Sequence, residues 1–317
     1  FTPFRIAVTH VPGGADVTVR LGDEDVFDGE FVAGLVPYEL RPALAAATRA
    51  DATTQFDVRG LAYRAGDPAS APRPPARVQV FDRVLTDNTT IAYTAEANLP
   101  PREFAFARIL LTLDIHDAGV NWDEWDRNGN VSVFDPDGRK HVIVPFITSY
   151  RTPCHWVVDV THFRPWLTRK TKFEIAAGTT FYKNRGYSMS VALAFHHGLP
   201  ETETFAVVPL WNGTAKYKDD ANHFADFFTP QTVAIDPSTT RARLFVTTTG
   251  HSQVGEFTPS RRAVQVTRDD VAGIRQTATF DNVLWKDDCD LNPNRPQFGT
   301  WKYPRPGWAP GDVVHPW

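Results

Sequence analysis

Methionine and cysteine are nearly absent from this 317-residue chain: Met189 stands alone, and Cys154 and Cys289 are the two cysteines. Two cysteines are too few for a disulfide scaffold, so the pair reads either as one bridge or as two free thiols, and the compartment cannot be read from them. No apolar run approaches the roughly 20 residues that carry a helix across a bilayer, so no membrane partner is expected. Charge of one sign is scarce as well. Lys and Arg number 33 against 37 Asp and Glu, a net charge of -4, and without a broad basic field nucleic acid is not expected as a partner. An initiator methionine is also missing, since the chain opens Phe1-Thr2-Pro3. That start predicts a removed signal peptide or a matured fragment. The sequons at Asn88, Asn130 and Asn212 add weak support for a secreted protein, extracellular or periplasmic.

Helical periodicity is missing too. Only Pro42 to Arg49 reads as a helix, and 25 prolines punctuate the chain. What fills it instead are short alternating or β-branched runs: Phe4 to Val8, Val142 to Ile147, Val157 to Val160 and Ala242 to Val246. Turns rich in Gly, Pro, Asn and Asp separate them, which predicts an all-β fold of sandwiches or jelly rolls. Nine Trp and 22 Phe suit β cores and faces for sugar rings.

Proline also marks the expected boundaries. Ala65 to Ala76 reads as a stiff connector, and Gly198-Leu199-Pro200-Glu201-Thr202-Glu203 as a second break. Three modules follow: a small β-rich accessory module over 1-75, a first domain over 76-199, and a second over 200-317.

The densest polar cluster is Asn121-Trp122-Asp123-Glu124-Trp125-Asp126-Arg127. It offers carboxylates for acid–base work, indoles for stacking and a fork donor. In an extended segment Glu124 and Asp126 would share one face, Trp125 and Arg127 the other. Gly250-His251 with Glu256-Phe257, and Trp301 to Trp308, form two further clusters. Two metal readings compete. Asp126, Asn128 and Asn130 alternate as in a calcium loop, but Val131 stands where such a loop needs glycine. His196-His197 invites copper or zinc without the remaining ligands. No metal or cofactor is expected.

In order along the chain, Asp123-Glu124-Trp125-Asp126-Arg127-Asn128-Gly129-Asn130-Val131, Phe146-Ile147-Thr148-Ser149-Tyr150, Asp159-Val160-Thr161-His162-Phe163, Arg185-Gly186-Tyr187-Ser188 and Ala206-Val207-Val208-Pro209 resemble segments of the peptide-N-glycosidase F family. Gly250-His251, Glu256-Phe257 and Pro306-Gly307-Trp308-Ala309-Pro310-Gly311 continue the series. The resemblance runs from about Val78 to the C-terminus. It implies two adjacent antiparallel eight-stranded jelly rolls with a glycan cleft at their interface. It also implies hydrolysis of the amide between asparagine and the first N-acetylglucosamine of N-glycosylated proteins or glycopeptides, whose chitobiose core it recognises.

Carried over by position, Asp126 and Glu256 are the catalytic acids. Trp125, Arg127, Arg305, His251 and Glu124 are substrate-binding candidates. The departures also matter. A third family acid falls at Gly178, and family tryptophans fall at Thr180 and Thr249. Trp122 and Ala309 replace family cysteines, and Cys289 alone matches one. Without an acid at 178, Asp126 is expected to ionise at lower pH and activity to extend into acid, unless Glu124 or Glu174 fills the gap. The family continues beyond the Gly307-Trp308 motif, so further strands are expected from a second chain. A glycan-binding relative without catalysis is the alternative.

Overall fold

The structure, a computed structural model, describes residues 4–11, 14–21, 24–33, 75–102, 104–178, 184–211, 228–251, 255–269 and 275–317. The expected helix at Pro42 to Arg49 and the expected connector up to Pro74 lie outside them, as does Thr180. Contacts group the chain into two units. One comprises residues 1–76, 103–108 and 195–202; the other comprises 77–102, 109–194 and 203–317.

In the first unit, β1 (Phe4–Val11), β2 (Gly14–Leu21) and β3 (Glu24–Ala33) form an antiparallel meander. The predicted Phe4 to Val8 strand lies inside β1. Elsewhere in that unit the Phe106 ring packs edge-on against Phe195 at 5.2 Å and tilted against His197 at 5.5 Å.

The second unit is built from two larger sheets. One orders β14 (Asp312–Val313), β8 (Lys140–Ile147), β7 (Asn128–Phe134), β10 (Arg169–Ala177) and β5 (Ala92–Leu99). The other orders β4 (Ala76–Asp87), β11 (Gly186–His197), β6 (Phe106–His116) and β9 (Cys154–Asp159). Their strands alternate as a half-buried sheet requires. In β6 the side chains of Ile109, Leu111, Leu113 and Ile115 are all buried, and each contributes about 1.5–3 kcal/mol by leaving water. In β10, Thr171, Phe173, Ile175 and Ala177 do the same. Phe146 of β8 and Trp156 of β9 meet at 5.7 Å, joining the two sheets. The fold is all-β with antiparallel pairing, as expected.

Two glycines are required by close approach. A Cβ on Gly129 would fall 2.2 Å from the Phe146 ring, and one on Gly186 1.5 Å from the Thr86 carbonyl oxygen.

The last third differs from expectation. Ala242 to Val246 is not a strand; among the described residues its backbone meets one partner, Trp317, through two hydrogen bonds at Val246. Leu244 and Phe245 stay exposed, so no apolar burial repays the ordering of a strand there. β12 (Ser260–Asp269) and β13 (Arg275–Leu284) pair only with each other among the described strands. The C-terminal segment instead joins the first of the two larger sheets, where Asp312 and Val313 pair with Ile147 and Phe146. A loop before it is fixed by buried side-chain amides. Asn292 and Gln297 donate to the Pro310 carbonyl, Asn294 donates to that of Gly311, and Gln297 Oε1 accepts from the Tyr150 amide. Every one of these amides has partners, so the burial costs little. Cys154 and Cys289 are both buried and both free.

Candidate functional site

The segment from Asn121 to Arg127 is a pinned loop leading into β7. It is not the extended strand on which Trp125 and Arg127 would share a face. The fully buried Asp123 carboxylate accepts from the Trp125 amide at 3.0 Å and from Arg127 Nε at 3.1 Å. The Thr148 hydroxyl donates to the Trp125 carbonyl at 3.0 Å and accepts from the Arg127 amide at 2.7 Å. Tyr187 donates to the same Trp125 carbonyl, and the Asp123 amide donates to Gly186. A loop with its backbone and carboxylate so engaged presents Asp126 in one orientation. The Trp125 indole points outward, 46% exposed.

β14 supplies the other half. Pairing of β14 with β8 holds the Arg305 to Gly311 segment beside the end of β8, where the Gly311 amide donates to the Ile147 and Thr148 carbonyls. Arg305 is wholly buried, its guanidinium lying 5.1 Å from the Phe257 ring and 4.8 Å from that of Trp308. Its Nε donates to Glu256 Oε1 at 3.2 Å, while its two other nitrogens donate to the Tyr303 carbonyl and the Thr300 hydroxyl. In this arrangement the Arg305 guanidinium, expected as a substrate contact, has no exposed surface and holds Glu256.

The two expected acids come together. Asp126 lies within electrostatic reach of both Glu256 and Arg305, with Tyr150 beside it. Burial pushes the Asp126 pKa above the ordinary aspartate value of 3.8; Glu256 adds to the rise, and Tyr150 and Arg305 oppose it. Desolvation, then, does what the absent acid at 178 was expected to do. Neither proposed substitute for that acid is among the causes. Glu174 is bonded to Lys140 at 2.9 Å, and Glu124 sits 4.0 Å from Arg185. Gly178 is exposed, and among the described residues nothing lies within 4 Å of a Cβ placed there.

His251 packs at 4.7 Å against Trp308 and exchanges a 2.8 Å hydrogen bond with Thr249. Although part of its ring meets solvent, desolvation and the nearby Arg305 charge hold its pKa down to about 4, so it is neutral at physiological pH. Arg127, through Nε, is paired with Asp123 (side chains 15% and 0% exposed). Beside Glu256 and Arg305 opens an apolar cavity of about 400 Å³, lined by Phe257, Trp285, Thr300, Tyr303 and Pro304.

The sequence reading gave no role to Tyr150, Thr148, Asp123 or Thr300. Tyr150 and Thr148 stand in the quoted Phe146 to Tyr150 motif and Asp123 in the polar cluster of Asn121 to Arg127, which were the available signals; Thr300 had none.

Two neighbouring carboxylates, Asp126 and Glu256, are carried here on loops of an all-β scaffold of antiparallel sheets. Residues 220–317 match the family described as peptide-N-glycosidase F, C terminal. The peptide-N(4)-(N-acetyl-beta-D-glucosaminyl)asparagine amidase F of Elizabethkingia miricola is 29% identical over 204 residues, 61% of this chain and 57% of that protein. The chain thus spans less than two thirds of the curated relative. A recombinant peptide:N-glycanase F structure aligns over 77% of this chain and 82% of its own with TM-score 0.56 and 21% identity. PNGF-II aligns over all of this chain and 75% of its own, with TM-score 0.51 and 14% identity. Over its last third the chain is similar to the peptide-N-glycosidase F family, and its fold is similar to that of the solved peptide-N-glycosidases.

Proposed function

We propose that this protein is an amidohydrolase that releases N-linked glycans from asparagine, leaving aspartate in the polypeptide. The observation that carries the reading is Asp126: a desolvated carboxylate beside Tyr150, within reach of a second carboxylate held by a buried arginine. Ionised Asp126 takes a proton from water as the water attacks the side-chain amide carbonyl, then returns it to the departing nitrogen. The products are an aspartyl peptide and a glycosylamine that later loses ammonia. Glu256, fixed by Arg305, accepts from sugar hydroxyls and orients the scissile nitrogen. Trp125 offers an exposed stacking face, and Glu124, Arg127 and His251 contribute at the rim. No metal or cofactor takes part in these steps.

The finer organisation belongs to the same reading. It comprises two eight-stranded jelly rolls, over 76-199 and 200-317, with the accessory module of 1-75 before them. On one face of the β12–β13 ladder, Val264 lies opposite Phe280 and Val266 opposite Ala278, and Phe280 and Val266 are exposed. That face supports the view that a second chain adds strands there; a lone chain in native mass spectrometry that binds no hydrophobic dye would exclude it. Secretion fits a substrate class met outside the cytoplasm, and detection of the protein only in cytosolic fractions would oppose it. On pH, the missing acid at 178 and the burial of Asp126 act in opposite directions. The acid limb of the rate profile is then expected above the ordinary aspartate range.

The second reading is a glycan-binding relative without turnover, favoured by the empty space at Gly178. Incubation with a denatured glycoprotein in heavy-oxygen water separates the two. Glycan release with labelled aspartate at the former asparagine supports the amidase; retention of the glycoprotein without a mass change supports the binder.

A further inference from the structure

Arg305 holds more than Glu256. Its guanidinium donates to the Tyr303 carbonyl at 2.9 Å and to the Thr300 hydroxyl at 3.1 Å, and lies 5.1 Å from the Phe257 ring. Its backbone exchanges hydrogen bonds of 2.7 and 3.0 Å with Lys286, which draws the neighbouring Trp285 and Pro304 together. These five residues, Phe257, Trp285, Thr300, Tyr303 and Pro304, line the cavity of about 400 Å³. We infer that this cavity is a subsite for an apolar side chain, aromatic or branched, of the polypeptide that flanks the glycosylated asparagine. The inference deepens the amidase reading and rests on it for the identity of the substrate.

Continuity with the carboxylates is the first ground. Phe257 directly follows Glu256, and the arginine that donates to Glu256 Oε1 at 3.2 Å also binds two of the walls. An occupant of the cavity therefore lies next to the group proposed to orient the scissile nitrogen. Neighbouring Cα atoms are about 3.8 Å apart, so the residue beside the asparagine has its side chain within reach of a cavity that adjoins the site.

Polarity decides between peptide and sugar. The lining is apolar, and two polar wall atoms, the Tyr303 carbonyl oxygen and the Thr300 hydroxyl oxygen, already accept from Arg305. A sugar ring carries hydroxyls that give up water on entry and need partners in exchange. An apolar side chain needs only faces. Those faces are present: Phe257 and Tyr303 are 47% and 58% exposed, with their rings edge to face at 6.0 Å. A side chain that covers them removes apolar surface from water on both partners at once. The substrate is thereby divided, with Glu256 and the exposed Trp125 face serving the sugar and the cavity serving the peptide.

The test uses glycopeptides that share one glycan and differ at the residue immediately before or after the asparagine, which is Phe, Leu, Ala or Asp in turn. At one flank or the other, wild-type kcat/KM for the Phe and Leu peptides is expected to be at least about tenfold above that for Ala, mostly through KM. The Asp peptide should be poorest. Tyr303→Asp puts a charge into the wall and keeps the backbone carbonyl that Arg305 binds; it should bring the Phe-to-Ala ratio to within about twofold of unity. Tyr303→Phe should keep the wild-type ratio. Equal kcat/KM across the wild-type series at both flanks would overturn the inference without any variant having to fold, and glycan release would leave the amidase reading intact. A Tyr303→Asp loss equal for every peptide would also overturn it, giving the cavity to the sugar. Binding of the same glycopeptides to Asp126→Asn is read by calorimetry. If the wild type releases no glycan, yet Phe peptides bind at least about tenfold tighter than Ala peptides and adding Tyr303→Asp removes the difference, the amidase reading fails and the subsite stands.

Discussion

Replacing Arg305 by alanine strips the site of its one wholly buried cation. Three losses can be read from the structure. Glu256, with a quarter of its side chain exposed, is left as a largely unpaired carboxylate. The Tyr303 carbonyl and Thr300 hydroxyl each lose a donor. The space between Phe257 and Trp308 empties. Removing one partner of a buried ion pair costs about 3–5 kcal/mol, and the partial exposure of Glu256 places this case near the lower end. Loss of the two cation–π contacts adds about 0.5–2 kcal/mol. A total of about 4 kcal/mol is a large part of the roughly 5–15 kcal/mol that holds a protein folded. At roughly 2–4 °C per kcal/mol, the melting temperature should fall by about 8–16 °C. Calorimetry or circular dichroism measures it directly. Arg305→Lys, which keeps the charge and loses the fork, should lie between. A fall of less than about 3 °C for the alanine variant would mean that Arg305 does not hold Glu256 in solution, and the positioning argument would fail with it.

Asp126→Asn should abolish turnover and raise stability. A folded-state pKa above 3.8 means that stability falls as pH rises through the window above that value, so the asparagine variant should have the higher urea midpoint near neutral pH, the gap closing in acid; equal midpoints at about pH 8 would refute it. His251 has the opposite sign: with its pKa lowered from 6.5 to about 4, stability is present above 6.5 and lost as pH falls towards 4. His251→Gln should flatten that slope in urea titrations at stepped pH, and an unchanged slope would clear His251. Burial pushes the Cys154 thiol up to about 12 and raises that of Cys289 as well. Disulfide-exchange reagents should therefore find almost no fast thiol in the native protein and both after denaturation; rapid native reaction of either would contradict the burial.

The fold class was legible because β pattern is local. Val142 to Ile147 and Val157 to Asp159 carry their own partners' requirements in their alternation, and they became β8 and β9. Ala242 to Val246 carries the same pattern and is not a strand, because a strand needs a neighbour and Trp317 offers only one bridge's worth. The order of motifs placed Asp126 and Glu256 in one site, which no spacing along the chain could have done. The burial of Arg305 between Phe257 and Trp308 was not legible in its motif, because burial is a property of packing.

The site also explains why its acid was harder to read than its members. Asp126 is raised by burial and by Glu256, and lowered by Tyr150 and Arg305. Those groups stand at 256, 150 and 305, each brought in by a different piece of main chain: the turn before β12, the turn after β8, and the segment that ends in β14. The β8–β14 pairing is the step on which their meeting depends, since Phe146 and Ile147 lead to Tyr150 on one side and pair with Val313 and Asp312 on the other. A two-residue ladder thus ties Asp126 to the arginine that holds Glu256. If that ladder were loosened, the surroundings of Asp126 would change before any strand of the main sheets came apart. The titration of Asp126 should therefore change before the stability of the fold does.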